Sequence, residues 1–229
     1  MLERTLAEFP AQRRRAISRA IVAKSKSKSS AWLTALPLKH QHFDLSASEF
    51  RDALSMRYSR LPQGLPSSCD GCGSPFSPEH ALSCKTGGLI SRRHNEVRDV
   101  FGELMNVAWG NCVKEPLIKE ATSSSPGLRG DLACRGVWEP QRVALFDIRV
   151  TDTDAPSYIS RTVSAVLSSA EQEKKRKYAP ACEEQHASFT PLVCSVDGTW
   201  APQAGAFIKV LAERLSDVWK RPQGVVWGW

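Results

Sequence analysis

At 229 residues the chain is long enough for one domain of ordinary size plus an accessory module, and its 41% hydrophobic content can bury a real core. Lys and Arg number 31 against 24 Asp and Glu, a net charge of +7 that favours an anionic partner without excluding an ordinary basic protein. There is no apolar run of 18 residues and no secretory core segment, so neither membrane insertion nor export is expected.

Residues 2–24 read as a basic helix, with Leu2, Leu6, Ile17 and Ile21 among its apolar positions and Arg13, Arg14 and Arg15 among its charges. It runs into a lysine- and serine-only stretch, Lys24 to Ser30, that reads as a solvated tether, so residues 1–30 form a basic helix with a linker. Residues 31–66 form a helical linker segment, in which a helix from Ser46 to Tyr58 repeats Phe50, Leu54 and Tyr58 at helical spacing and so marks a core face. His40 and His42 form an H-x-H pair with no third ligand nearby, and read as surface residues.

A small module over 67–90 follows, in which Cys69, Cys72, His80 and Cys84 have the spacing C-x2-C-x7-H-x3-C. Three thiolates and one imidazole are the ligand set of a closed, tetrahedral structural zinc site. A tight knuckle presents the first two sulfurs, and a short helical turn from Pro78 to Cys84 presents His and Cys about one turn apart. Gly71 and Gly73 are expected there because glycine tolerates positive φ. The competing reading is four unrelated buried or disulfide-bonded residues. The other four cysteines, Cys112, Cys134, Cys182 and Cys194, lie in or beside apolar segments, as buried free thiols in a reducing compartment would.

Residues 91–222 show a regular succession. Ser91 is expected to cap a helix running to Ala108, with His94, Val97, Phe101, Leu104 and Ala108 on one face. A short strand from Cys112 to Ile118 precedes a loop over 121–127. Two strands, Leu128 to Trp138 and Arg142 to Thr151, form a hairpin. A long helix from Ile159 to Tyr178, a strand from Phe189 to Val196 and an amphipathic helix from Gly205 to Lys220 complete an α-β-β-β-α-β-α order, a mixed α/β sandwich.

The hairpin carries the chemistry. Alternation along the second strand puts Phe146, Ile148 and Val150 on one face and Leu145, Asp147 and Arg149 on the other. On the first strand it puts Leu128, Leu132 and Cys134 one way and Asp131 and Ala133 the other. A carboxylate within an apolar strand is costly unless paired or metal-bound. Two aspartates converging from neighbouring strands suit Mg²⁺, which needs a few carboxylate oxygens plus a substrate phosphate; a structural salt bridge from Asp131 to Arg149 or Arg129 is the alternative. On the long helix, at about 100° per residue, Ile159, Val163, Leu167, Ala170, Lys174 and Tyr178 share an apolar stripe. Lys174 therefore aims at the sheet, unless it snorkels to solvent. Two carboxylates and a lysine around one point form a phosphodiesterase constellation, in which a metal polarises the phosphate and the lysine steadies developing charge.

The run from Ser30 to Tyr178 resembles the C-terminal region of non-LTR retrotransposon proteins that carry a CCHC knuckle immediately before a restriction-enzyme-like endonuclease. The matching elements are the four knuckle residues, Arg93-His94-Asn95, Gly130-Asp131, Asp147 with Arg149, and the K-x-x-x-Y of Lys174 and Tyr178. The resemblance implies a PD-(D/E)XK restriction-endonuclease-like α/β core, preceded by a helical segment and the zinc knuckle. It implies that Asp131 and Asp147 bind Mg²⁺ or Mn²⁺, with Glu96 completing the shell. Lys174 would be the catalytic lysine moved from strand to helix, with Tyr178 supporting it. Three positions depart from the pattern: Gly130 stands where proline is typical, Asp147 replaces glutamate, and Arg149 occupies the usual strand lysine position, where it stays protonated. Arg92, Arg93, Lys175, Arg176 and Lys177 would grip the DNA backbone without reading sequence.

The expectation is thus a metal-dependent DNA-nicking domain of a retrotransposon-derived protein without its reverse transcriptase, since no Tyr-x-Asp-Asp signature occurs. Structural Zn²⁺ and catalytic Mg²⁺ or Mn²⁺ would be its cofactors. Double-stranded DNA and element RNA would be its partners, with no membrane and no small-molecule cofactor. Its place would be the nucleus, or the cytoplasm before import. The alternatives are a catalytically inactive nucleic-acid-binding zinc-knuckle module and a zinc-stabilised protein-interaction domain.

Overall fold

The computed structural model describes residues 9, 10, 14, 15, 17, 18, 33, 44–58, 60–123, 126–222 and 226. Most of the expected basic helix over 2–24, the tether from Lys24 to Ser30, and His40 and His42 lie outside them. Among the described residues no helix is long and apolar enough to cross a membrane.

Helix α1 (Ala47–Arg57) starts at a capping box: the Ser46 hydroxyl accepts from Glu49 N–H and the Glu49 carboxylate accepts from Ser46 N–H. None of its residues is buried; Phe50 and Tyr58 are 42% and 40% exposed, so the expected core face does not reach the core. Periodicity shows which side of a helix would pack, not whether anything stands opposite it. After the short α2 (Pro78–Ser83) comes α3 (Leu89–Trp109), which begins two residues before Ser91. Its N-cap is Gly88 at φ 71°, a left-handed conformation that suits glycine. Ser91 therefore lies inside the first turn and is not the cap.

The expected first strand is two, β1 (Val113–Lys114) and β2 (Leu117–Lys119), parted by Glu115 at φ 52° and Pro116. The next is also two, β3 (Leu128–Arg129), which pairs with β2, and β4 (Leu132–Arg135), which pairs with β5 (Val143–Thr151). The break falls at Gly130, where an added Cβ would stand 3.3 Å from the Phe146 carbonyl oxygen. This break turns Leu128 away from Leu132 and Cys134, and it packs instead beside Ile118 and Tyr178.

A 3-10 turn (Pro156–Tyr158) leads to α4 (Val163–Glu184), whose N-cap Thr162 accepts from Ala165 N–H. Ile159 thus stands outside the helix and is 43% exposed, not part of its stripe. The helix runs past Tyr178 and through Pro180 because Ala181 and Cys182 are buried in the cluster that holds Ala133, Leu145 and Ala187. Strand β6 (Ser188–Ser195) and helix α5 (Pro202–Trp219) follow.

The main sheet has the order β1-β4-β5-β6, antiparallel except for the β5–β6 pair. That parallel pair requires a crossover, and α4 supplies it. Phe146, Ile148, Leu132, Cys134 and Leu192 join residues of α3 and α5 in one core, with Phe146 and Phe207 at 4.7 Å between ring centroids. Leu145, Ala133 and Val193 pack with α4 on the other side. The result is a mixed α/β fold in three layers, with Asp147 on the face of β5 that α4 covers.

Candidate functional site

The knuckle is held by backbone hydrogen bonds from Cys69 N–H to Ser74 O and from Gly73 N–H to Cys69 O, both 2.8 Å. Ser77 caps α2 by accepting from His80 N–H, which orients the imidazole turn. Gly73 has φ 72°, as expected, but Gly71 is needed for another reason: a Cβ there would lie 2.4 Å from Gly87 Cα. The ligand atoms of Cys69, Cys72, His80 and Cys84 all lie within 4.8 Å of one another. The Cys69 and Cys84 sulfurs are 3.8 Å apart, and Cys72 Sγ is 3.2 Å from His80 Nε2. With Zn–S bonds of about 2.3 Å, two vertices of a tetrahedron are separated by about 3.8 Å. The cluster could therefore hold a metal ion such as zinc, and its donor set suits zinc. Hydrogen bonds from Ser74 pull the Cys72 thiol down to about 6, which favours the thiolate a metal requires. All seven cysteines are free, and only Cys72 and the half-buried Cys112 are not fully buried.

The second constellation lies on the sheet. Continuing the Leu132↔Phe146 pairing by one residue brings Asp131 opposite Asp147. There the ladder ends. Asp131 N–H donates to Phe146 O at 2.9 Å, and Asp131 Oδ2 accepts from Ile148 N–H at 2.5 Å, taking the place of a strand carbonyl. Its Oδ1 lies 3.0 Å from His94 Nε2 on α3. Burial pushes the Asp131 carboxyl up, but the His94 and Ile148 hydrogen bonds and the Lys174 charge outweigh it and hold it below the usual range. Asp131 thus pairs with His94, not with Arg129 or Arg149.

Asp147 is 4% exposed, and its Oδ2 forms an ion pair with the Lys174 ammonium of α4. Lys174 therefore turns to the sheet and does not snorkel. One turn on, buried Tyr178 stacks on Phe189 with ring centroids 5.0 Å apart and accepts a 3.1 Å hydrogen bond from Lys177 Nζ. Burial first, and then a hydrogen bond with Asp147, push the Tyr178 hydroxyl far up, so it stays protonated. Lys174 Nζ stands 5.7 Å from the Tyr178 ring centroid.

Other expected residues stand apart from this group. Arg149 shares the α4 face but is tied to Glu173 at 2.6 Å. Glu96 is exposed and bonds Arg92 at 2.9 Å; among the described residues, the only gathering of three or more metal-ligating side chains within 4.8 Å is the knuckle. Lys175, Arg176 and Lys177 are exposed on α4. Three features went unread in the sequence. His94 reads there as a position of a core face and as part of the Arg93-His94-Asn95 element, but its pairing with Asp131 does not, although a histidine among apolar residues is itself a signal. Glu171 lies within the Leu167-to-Lys174 stripe, and its buried carboxylate accepts from Gln203 N–H, capping α5. Arg15 pairs with Asp154 at 3.0 Å and donates to the carbonyls of Thr153 and Ile159, fastening an N-terminal segment to the β5–α4 connection.

No protein-family model matches the chain, and no curated protein matches it.

Proposed function

We propose that residues 91–222 are a metal-dependent DNA endonuclease domain with a PD-(D/E)XK-like core, seated behind a structural zinc knuckle, in a retrotransposon-derived protein. The observation that carries this reading is the buried Asp147–Lys174 pair directly across the strand register from Asp131. A salt bridge of this kind is a costly way to stabilise a fold, since an apolar pair of similar volume does as well or better. Its presence beside a second carboxylate argues for chemistry.

The donor set fits Mg²⁺ or Mn²⁺ in one respect: two carboxylates on facing backbone suffice for a cation that keeps several waters and takes substrate oxygens. When bound, such an ion polarises the phosphate and lowers the pKa of a coordinated water. Asp131 and Asp147 would hold it. Lys174 would then leave Asp147 to the metal and stand against the charge developing on the phosphate, with Tyr178 fixing its position. Exposed Arg92, Lys175, Arg176 and Lys177 would meet backbone phosphates, giving salt-dependent binding of double-stranded DNA. A nuclear site of action and contact with element RNA belong to the same reading.

Supercoiled plasmid with Mg²⁺ or Mn²⁺ tests it, using the wild type beside Asp131→Ala and Asp147→Ala. Wild-type nicking lost in both variants supports the reading; equal nicking by all three would refute it. A second reading, an inert nucleic-acid-binding module, is favoured by one observation: Lys174 and Arg149 are both already paired with carboxylates, and Glu96 is not gathered with the aspartates. Binding of plasmid without nicking would select it.

A further inference from the structure

The backbone pairing of β1 with β4 ends at Val113↔Ala133. Beyond it the Asn111 carboxamide continues the ladder: its Oδ1 accepts from Arg135 N–H at 2.7 Å, and its Nδ2 donates to Arg135 O at 3.4 Å. Cys112 and Cys134 therefore stand opposite each other between two hydrogen-bonded positions, as a non-hydrogen-bonded antiparallel pair. Such a pair brings its Cα atoms to about 4.5 Å with both side chains on one face. A disulfide spans Cα separations of about 4.4–6.8 Å. Both side chains lie on the face that α3 and α5 cover, Cys134 within that core and Cys112 packed against it. The Cys134 thiol donates to Asn111 Oδ1 at 3.3 Å, so its sulfur lies on the β1 side. Accessibility singles out the same pair. Cys134, Cys182 and Cys194 are buried, and Cys69, Cys72 and Cys84 belong to the metal cluster. With metal bound there, Cys112 is the one cysteine left partly open to solvent.

We infer that Cys112 and Cys134 are a reversible redox modification site, oxidised to a cross-strand disulfide by a small-molecule disulfide of the glutathione type. The Cys112 thiolate attacks one sulfur of that compound, forming a mixed disulfide and expelling one small thiolate. Cys134 then attacks the Cys112 sulfur and expels the second. Each departing thiolate takes up the proton that its attacker gave up, so the protein loses two electrons and two protons and the small disulfide leaves as two thiols. Excess small thiol reverses both steps. Burial pushes both protein thiols up, Cys134 to about 12, so the exchange is slow at neutral pH and quickens as pH rises. β1 is two residues long, and with β4 it forms the stem from which β2 and β3 depart. A disulfide one position beyond Val113↔Ala133 closes that stem covalently. At the other end of the stem Glu115 N–H donates to Asp131 O at 2.9 Å, so the staple steadies the backbone that carries Asp131. The inference takes nothing from the endonuclease reading and stands whether or not Asp131 binds metal.

The test incubates the zinc-loaded full chain with an excess of oxidised over reduced glutathione at mildly alkaline pH, followed by peptide mass spectrometry without reduction. The expected product carries one Cys112–Cys134 linkage, is lighter than the reduced chain by two hydrogen atoms, retains its zinc, and returns to the starting mass with dithiothreitol. Cys134→Ala should stop at the first step and accumulate glutathione on Cys112, whereas Cys112→Ser should form neither product. Hydrogen exchange over 113–119 and 129–133 should slow about tenfold in the oxidised chain, with β6 unchanged. Because the wild type alone yields the linkage, a variant that fails to fold leaves the test intact. The inference is overturned by a wild type that keeps glutathione on Cys112 without a linkage, by oxidation confined to the knuckle with loss of zinc, or by a chain unmodified after prolonged incubation. A linkage that leaves exchange in the stem unchanged would overturn its effect on Asp131.

Discussion

Lys174→Met removes the ammonium from Asp147 while keeping the unbranched stem that packs along α4. The Asp147 side chain is 6% exposed and that of Lys174 is 20% exposed, so the pair is largely withdrawn from water. Removing one member of a buried ion pair costs about 3–5 kcal/mol, because the other charge is left desolvated and unpaired. Here the partial exposure of Lys174 and the Tyr178 hydroxyl that also bonds Asp147 set the loss near the lower end, about 3 kcal/mol. For a chain of this size each kcal/mol lowers Tm by about 2–4 °C, so the variant should melt about 6–12 °C below wild type. Urea denaturation with zinc held constant measures it. Adding Asp147→Leu should recover most of the loss, since two apolar residues leave no orphaned charge. A loss below about 1 kcal/mol in Lys174→Met would show that water reaches Asp147, and would remove the argument that the pair is an expensive, and hence purposeful, feature.

Removing zinc with a strong chelator should melt the knuckle and spare the sheet, because α2 has no buried residue and the module's buried side chains are chiefly its own ligands; hydrogen exchange should rise over 67–88 and stay slow in β4, β5 and β6. Gly71→Ala should abolish metal binding by driving a Cβ to 2.4 Å from Gly87, whereas Gly205→Ala, inside α5 with nothing within 4 Å, should stabilise by about 0.5–1 kcal/mol, as calorimetry can read. Asp131, with its carboxyl held below the ordinary range, contributes stability that is full above the unfolded carboxylate value of about 3.9 and is lost as pH falls through the lower folded value. The stability gap between wild type and Asp131→Asn should therefore narrow below about pH 4 in acid titrations; a gap constant from neutral pH to the acid limb would contradict the His94 and Ile148 contacts as its cause.

What was legible in the sequence is what short-range periodicity carries. The twofold alternation of β5 separates Phe146 and Ile148 from Leu145 and Asp147, and the helical stripe through Leu167, Ala170 and Lys174 aims the lysine at the sheet. Both depend only on residues within a few positions of each other, and the structure brings Lys174 to Asp147 accordingly. Partner choice between distant elements was not legible. The pairing of Asp131 with His94 depends on where α3 lies relative to β4, and Arg149 finds Glu173 only because α4 crosses β5 there. The strand over 128–138 illustrates the same limit. Its alternation is continuous in sequence, but the close approach of Gly130 to Phe146 splits it between two sheets.

The knuckle's four ligands were legible from spacing, but their relation to the rest of the molecule was not. Gly71 touches the backbone of Gly87, and Gly88, the next residue, is the N-cap of α3. The metal cluster therefore bears on where α3 begins, and the first turns of α3 carry Arg93 and His94. Farther along, Phe101, Met105 and Ala108 are buried against the sheet and hold the helix without help from the knuckle. Beyond the knuckle itself, loss of metal should thus loosen only the start of α3, disturbing the His94–Asp131 contact. The Asp147–Lys174 pair hangs on β5 and α4 and should persist. Hydrogen exchange of the chelated protein separates the two regions: faster exchange over 89–94 with β5 and α4 unchanged is the expected pattern. Equal loosening of both would mean that the knuckle braces the whole fold, not the entrance to its site.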